Sequence, residues 1–373
     1  MSQLPESQPG LASRSPRRRR AWQLLKWLLT LLVLAFVGHR AVTLWRAHSA
    51  ESVSIHWGWM LLAGLIYLIG WLPSAWFYRA LLERMGDHVS WRGVLRAYYC
   101  GHLGKYVPGK ALVPVIRGQL IAEAGGRFRT GVLAAVYETL MMMGVALELS
   151  GLLIPWLIPT EWANPPSWLA GLLENSLWRS LLERPLMFAT LAVLVMACSI
   201  PIAAWLFSRV AGRVVSREES TEASPRIDAR LIAFGFVIFS LAWAIQGLGI
   251  WATLRGIGAD VSVTHMAQWT ACAALPTVLG FLALFAPGGM GVREGVMMEL
   301  LKFQPGIEPR AAIATAFLQR VIGLLAELVA SGVLYWGMAP RRRAGGVHAS
   351  RYVAMEKRSE EENDAIDPDS RAQ

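Results

Sequence analysis

Charge is what this chain has least of. Asp, Glu, Lys and Arg make up only 17% of its 373 residues, while 54% are hydrophobic; soluble domains usually carry about 25% charged residues. Cysteine is nearly absent as well. Cys100, Cys198 and Cys272 each fall in an apolar or motif segment, and none belongs to a CxxC pair. A disulfide framework and a zinc site are therefore not expected. The seven histidines are scattered without an HxxxH spacing, so no metal centre is expected either. The spacing Gly289-x-Gly291 lacks the preceding soluble strand and the ribose-binding acid of a dinucleotide site, which leaves no cofactor to expect. The methionines at Met141–Met143 and Met297-Met298 read as packing filler rather than a metal path. No cleavable signal is expected at the N-terminus. The first apolar run, from Trp22, is long enough to remain as an anchor, and no small-residue cleavage site follows it.

What the chain has in quantity is tryptophan, 17 residues of it, as aromatic belts at two membrane interfaces require. It also carries a formal charge of +10, from 36 Lys+Arg against 26 Asp+Glu. The basic residues cluster between apolar runs without interleaved stacking aromatics. They indicate orientation by the positive-inside rule and attraction to anionic lipid, and argue against nucleic acid.

Six apolar stretches are long enough to cross a hydrocarbon core of about 30 Å, which takes about 20 residues of helix. They run from Trp22 to Val37, Trp57 to Tyr78, Thr130 to Ile154, Leu186 to Phe207, Leu231 to Leu254 and Ala311 to Met338. Lipid offers no water to an unpaired backbone, so each is expected to be a helix. Two further segments are apolar but interrupted. Trp91 to Ala124 carries Arg92, Arg96, Lys105, Lys110 and Arg117 with Pro108 and Pro114; Val263 to Leu301 is broken by Pro276 and by Pro287-Gly288-Gly289. Both read as re-entrant helical hairpins. The expected fold is an all-α polytopic membrane protein with about six full spans and two re-entrant hairpins. It comprises a disordered basic tail (1–20), a membrane domain (21–338) and a disordered tail (339–373).

Charge parity agrees. With Arg17–Arg20 inside, two spans return the chain to Arg79, Arg84, Arg92 and Arg96 on the same side. A re-entrant first segment keeps Arg127 and Arg129 there. The remaining spans then leave Arg209, Arg213, Arg217, Arg226, Arg230 and Arg341–Arg343 inside as well. Both termini are thus expected on the cytoplasmic side of an inner, cytoplasmic-type membrane.

The two interrupted segments resemble each other. Tyr106-Val107-Pro108-Gly109, then Arg117 and Glu123, is answered by Phe285-Ala286-Pro287-Gly288, then Arg293 and Glu299. Repeat one spans about 91–154 and repeat two about 263–338. Three crossings separate the hairpins, so the repeats are expected to be inverted, an arrangement characteristic of transporters.

Ionisable groups at mid-bilayer cost about 2.5–3.5 kcal/mol and are normally paired or functional. Glu138 lies ~12 Å from the inner end of its predicted span and Arg320 ~13 Å from the outer end of its own, so in a ~30 Å core their depths nearly coincide. This suggests a Glu138–Arg320 pair, structural or switchable. The Pro-Gly breaks expose half-helix N-termini, whose free N–H groups favour an anion. Lys105, Lys110 and Arg117 stand near the first break; Gly288, Gly289 and Gly291 with Arg293 form the second. Arginine forks suit a lipid phosphate. Glu294 is placed to neutralise Arg293 or relay a proton, and Glu123 and Glu299 to pair with the arginine of their own repeat.

Gly104-Lys105-Tyr106-Val107-Pro108-Gly109-Lys110, with Arg117 following, and Ala286-Pro287-Gly288-Gly289-Met290-Gly291-Val292-Arg293-Glu294-Gly295 resemble the two hallmark stretches of the lysylphosphatidylglycerol synthase transmembrane-region family. The resemblance covers roughly Trp22 to Met338. It implies a lipid-translocating fold with re-entrant helices, and site positions at Pro108, Gly109, Arg117, Pro287, Gly288, Gly289, Gly291, Arg293 and Glu294. Full-length synthetases carry a soluble aminoacyltransferase domain after the membrane part. A short polar tail stands there in this sequence, so lysyl-lipid synthesis is not expected. The resulting expectation is a non-enzymatic, flippase-like binder of a phospholipid or lipid-linked anion. Two alternatives stand beside it. One is a membrane transferase acting on lipid-linked sugar or phosphate, which would need paired carboxylates or a metal, whereas Asp87 and Asp260 sit alone in loops. The other is a non-transporting subunit of a lipid-pathway complex. A homodimer or a lipid-pathway enzyme is the protein partner considered.

Overall fold

A computed structural model of the chain describes residues 54–106, 112–157, 184–215, 227–283 and 286–338, with scattered helical positions between 28 and 46. The two predicted tails, the predicted span Trp22–Val37 apart from a few positions, and the segment 158–183 lie outside the described residues. Every regular element that is described is helical.

The elements are α1 (Trp57–Gly70), α2 (Leu72–Arg84), α3 (Trp91–His102), α4 (Leu112–Glu123), α5 (Phe128–Leu157), α6 (Pro185–Val215), α7 (Ala229–Gly256), α8 (Met266–Leu282), α9 (Val292–Lys302) and α10 (Pro309–Gly337). Five stretches are long and apolar enough to cross a membrane: α1 with α2, then α5, α6, α7 and α10. These correspond to five of the six predicted spans. They form where the apolar runs are continuous, because a helix satisfies every backbone group internally. The span predicted from Trp57 to Tyr78 extends to Arg84 and is interrupted once, at Trp71. Pro73 stands in the first turn of α2, where its missing N–H costs least, but it cannot continue the hydrogen-bond ladder of α1.

α3, α4 and α9 have 12, 12 and 11 residues. At ~1.5 Å rise per residue each is shorter than 20 Å, too short for a core of ~30 Å. α3 continues into a 3₁₀ turn (Leu103–Tyr106), and a second 3₁₀ turn (Pro287–Gly289) lies between α8 and α9. Both interrupted segments therefore have the helix–break–helix form read from the sequence, and in each the two helices pack together.

α7 holds the middle, against α1, α8, α2, α5, α6 and α10. α6 lies at the rim, with Leu186, Ile202 and Trp205 open to the lipid side. α4 lies against α5 at a crossing of two glycines: a Cβ on Gly131 would meet the Gly118 Cα at 2.9 Å. Small residues are what allow membrane helices to approach this closely. Gly118 directly follows Arg117, so the crossing brings that arginine down onto α5.

Candidate functional site

The two breaks meet. A Cβ on Gly288 would stand 3.5 Å from the Lys105 carbonyl oxygen. Beside this junction is a cavity of about 330 Å³. Lys105, Arg117, Arg293 and Arg320 line it, and Glu138 is the one carboxylate among the lining residues. The rest of the wall is largely apolar, including Val113, Leu140, Met142 and Phe281. Trp71, at the interruption between α1 and α2, lines it too.

On the first-break side the charges are closed off. Arg117 and Glu138 are each 1% exposed. Arg117 Nη1 donates to Glu138 Oε2 at 2.6 Å, and the Tyr98 hydroxyl donates to Glu138 Oε1 at 3.0 Å. The guanidinium also lies over the Tyr98 ring, 4.0 Å from its centroid, a geometry in which the ring quadrupole attracts the cation. α3 makes room for this side chain at Gly101, where a Cβ would overlap the Arg117 Cγ at 2.4 Å. Arg117 Nη2 stands 3.3 Å from His102 Nδ1. Arginine has no acceptor, so Nδ1 accepts and the ring proton belongs on Nε2. His102 lines the cavity.

The second break is made by backbone that only glycine adopts easily. Gly288, Gly289 and Gly291 have φ of 58°, 71° and 83°, in the left-handed region. A Cβ on Gly289 would also meet the Gly280 backbone at 2.8 Å. The Gly291 N–H, at the start of α9, donates to Glu294 Oε2 at 2.6 Å. The N–H just before that helix is thus taken by the helix's own carboxylate. Glu294 does not neutralise Arg293. Its other oxygen lies 3.6 Å from Arg320 Nε.

The expected Glu138–Arg320 pair is replaced by two others. Depth in the bilayer matched these residues, but neighbours are set by packing: α5 lies on α4, and α10 on α9. Glu138 therefore takes Arg117 and Arg320 takes Glu294. Arg320 Nη1 also donates to the Gly288 carbonyl at 3.1 Å, and its guanidinium sits 5.1 Å from the Tyr106 ring centroid. The Arg-x5-Glu spacing marks no pair in either repeat. Glu123 takes Arg96 and Glu299 takes Lys302. Nor are Asp87 and Asp260 alone, since Arg127 and Arg255 hold them at 2.9 and 2.6 Å.

Glu327, two helical turns beyond Arg320 on α10, is 1% exposed. It accepts from Lys105 Nζ and from the hydroxyls of Tyr67 and Tyr106. One face of α10 thus grips both breaks, Glu327 the first and Arg320 the second. The depth argument that joined Glu138 to Arg320 leaves Glu327 out. Its seven-residue spacing from Arg320, which puts both on one helical face, was the available signal. Nothing in the sequence marked His102, Tyr67 or Trp71.

Among the described residues Arg293 has no carboxylate partner, although it lines both the main cavity and a small neighbouring one with Gln246 and Gln319. Of the residues singled out from sequence, Lys105, Arg117, Glu138, Gly288, Arg293 and Arg320 share the main cavity. Gly289, Gly291 and Glu294 shape the break behind it. For Pro287 the backbone alone is described, and Pro108, Gly109 and Lys110 lie outside the described residues. No group of three His, Cys, Asp or Glu with metal-binding geometry occurs among the described residues.

The profile of the lysylphosphatidylglycerol synthase transmembrane region matches residues 23–331. The chain belongs to that family. It is thus a multi-pass membrane protein of a lipid-related family, and both breaks and the whole cavity lie within the matched region. No curated protein matches it in sequence.

Proposed function

We propose that the chain is a flippase-like protein that holds a phosphate-bearing lipid by its head group between the two breaks and carries it across the cytoplasmic membrane. The observation that carries this reading is Arg293, a cation on a mostly apolar cavity with no carboxylate partner among the described residues. An uncompensated guanidinium is costly in a low-dielectric interior, and an anionic ligand offsets that cost. Phosphate suits it, because the guanidinium fork binds two of its oxygens at once. The apolar wall suits the glycerol and the first methylenes of the acyl chains.

In this reading the two hairpins are inverted repeats that enter from opposite leaflets, and both termini are cytoplasmic. The head group passes the junction of the breaks as Lys105 and Arg320 exchange Glu327 and Glu294 for phosphate. The three carboxylates at the site are each engaged by a cation, which favours binding over acid–base chemistry.

The test is translocation of a phospholipid with a fluorescent acyl chain in liposomes holding the purified protein, followed by quenching from outside. Arg293→Ala is expected to abolish protein-dependent translocation while the protein elutes and melts as the wild type does. Translocation at the wild-type rate in that variant would remove the assigned role.

A further inference from the structure

Four carboxylates stand in the five stretches long and apolar enough to cross a membrane: Glu83, Glu138, Glu148 and Glu327. Three of them have a cation. Arg79 holds Glu83, Arg117 holds Glu138 and Lys105 holds Glu327. Glu148 has no ion pair among the described residues, and its Oε2 is buried without a hydrogen-bond partner. It is not among the residues that line the main cavity. Leu149, Leu152, Leu153 and Ile154 follow it on α5, and Trp156 stands ~12 Å farther along the helix. Glu148 therefore lies within the apolar part of its span.

The helix beside it is α6, which packs at the rim on α5 and α7. Ser199 of α6 is the one side chain whose hydrogen bonding acts on Glu148. A serine hydroxyl has a single proton, and Ser199 gives it to the Met196 carbonyl at 2.8 Å. Toward Glu148 its oxygen is left as an acceptor. Pro201 lies inside α6 and has no N–H, so the Ala197 carbonyl one turn earlier lacks its helical donor as well. This stretch of α6 thus offers acceptors. A carboxylate is an acceptor too, whereas a carboxylic acid has an O–H to donate. No charge compensates from elsewhere. α8 carries no charged residue, α6 none before Arg209, and α7 only Arg230 and Arg255, near its two ends. Arg79, Glu83 and Arg84 of α2, Arg117 and Glu123 of α4, and Glu138 on α5 itself do not act on Glu148.

We propose that Glu148 is a proton-binding site within the membrane, apart from the cavity, and that its bound proton holds α6 on α5. An unpaired carboxylate is heavily penalised in hydrocarbon, and a carboxyl so placed takes up a proton instead. The acid then donates to α6. Loss of the proton sets a charge against acceptors and releases the contact. Because the site stands off the cavity, the inference does not depend on the head-group reading.

A hydrophobic carbodiimide tests for the proton. The carboxyl O–H adds across one C=N bond, its oxygen going to the central carbon and its proton to nitrogen. The acyl group then moves from oxygen to nitrogen, which leaves a stable N-acylurea and releases nothing. Leu147, next to Glu148, is exposed, so a reagent dissolved in detergent reaches this face of α5. With dicyclohexylcarbodiimide on the full chain in mild detergent, mass spectrometry of the peptides should place the adduct on Glu148 at about pH 7. Labelling there should exceed that of Glu138 and Glu327 by about tenfold or more, and fall about tenfold per pH unit once Glu148 ionises.

Melting tests the contact. In the unfolded chain Glu148 ionises at the ordinary value of about 4.3. Between about pH 5 and about pH 8 the folded state then binds more protons than the unfolded one, and stability falls as pH rises. Glu148→Gln keeps a donor and never ionises, so it should escape that fall. Its melting temperature, measured against the wild type, should climb over the same range. No adduct on Glu148 at about pH 7 would overturn the proposal, and so would a melting-temperature difference that stays constant with pH. Labelling needs no variant and decides alone where Glu148→Gln does not fold.

Discussion

Two arginines beside one cavity live in opposite circumstances. Arg117 is 1% exposed, bonded to Glu138 at 2.6 Å and stacked on Tyr98, with His102 against its other nitrogen. Arg293 sits at the start of α9, just beyond three left-handed glycines, and has no carboxylate partner among the described residues. The sequence offers them as equivalent members of a repeat, each following a Pro-Gly break. The structure gives Arg117 the work of locking α3 and α4 onto α5, and leaves the charge of Arg293 available to a ligand. The shared Pro-Gly pattern therefore does not give the two arginines the same surroundings.

The largest expected effect is on stability, and it separates the two. Arg117→Ala leaves Glu138 buried without a counter-charge, and breaking such a pair typically costs about 3–5 kcal/mol. Replacing both partners by apolar residues of similar volume, Arg117→Met with Glu138→Leu, should recover most of that loss. Arg293→Ala should change stability by no more than about 0.5 kcal/mol, or raise it, because it removes an uncompensated charge lying near those of Lys105 and Arg320. Melting in mild detergent measures all three variants. A drop in Arg293→Ala as deep as that in Arg117→Ala would erase the contrast.

How much of this was legible follows from what sets each feature. Continuous apolar runs such as Leu231 to Leu254 specify helices through the lipid requirement alone, so five spans could be read directly. The breaks were legible because Pro and Gly act locally: Gly288, Gly289 and Gly291 occur where the backbone needs positive φ. The interruption at Trp71 was missed, since Leu72-Pro73 lies inside an otherwise clean apolar run. Pairing was the least legible. Glu138 and Arg320 matched in depth, but which helix lies next to which is decided by crossings such as that of Gly118 with Gly131, and no spacing along the chain encodes it. Glu327 and His102 join the site for the same reason, through packing across more than 200 residues in the first case.

An intermediate effect should come from Gly289→Ala, which sharpens the comparison from the backbone side. The substitution places a Cβ at φ 71° and 2.8 Å from the Gly280 backbone, and strain of this kind costs about 1–3 kcal/mol. Gly280 also packs against the Arg293 side chain, since a Cβ there would meet that of Arg293 at 3.2 Å. Relief of the clash therefore displaces Arg293 from the cavity. Stability and lipid binding should fall together in Gly289→Ala, whereas Arg293→Ala should lose binding alone. Full lipid binding in a destabilised Gly289→Ala would show that the break does not position Arg293.

The smallest expected effect belongs to His102, which touches both sides of the comparison. Its contact with Arg117 is long, 3.3 Å, which puts it at the weak end of the about 1.5–3 kcal/mol that a bond to a charged group contributes. In His102→Gln the side-chain oxygen can still accept from Arg117, so the pair with Glu138 should hold and the melting temperature should move little. The ring that lines the cavity is not reproduced in place, so head-group affinity should weaken by a few-fold. A stability loss approaching that of Arg117→Ala would assign His102 to the locked side alone. Unchanged affinity together with unchanged stability would mean that its ring fills space between Trp71 and Tyr98, 4.7 and 5.5 Å away, and gives the ligand nothing.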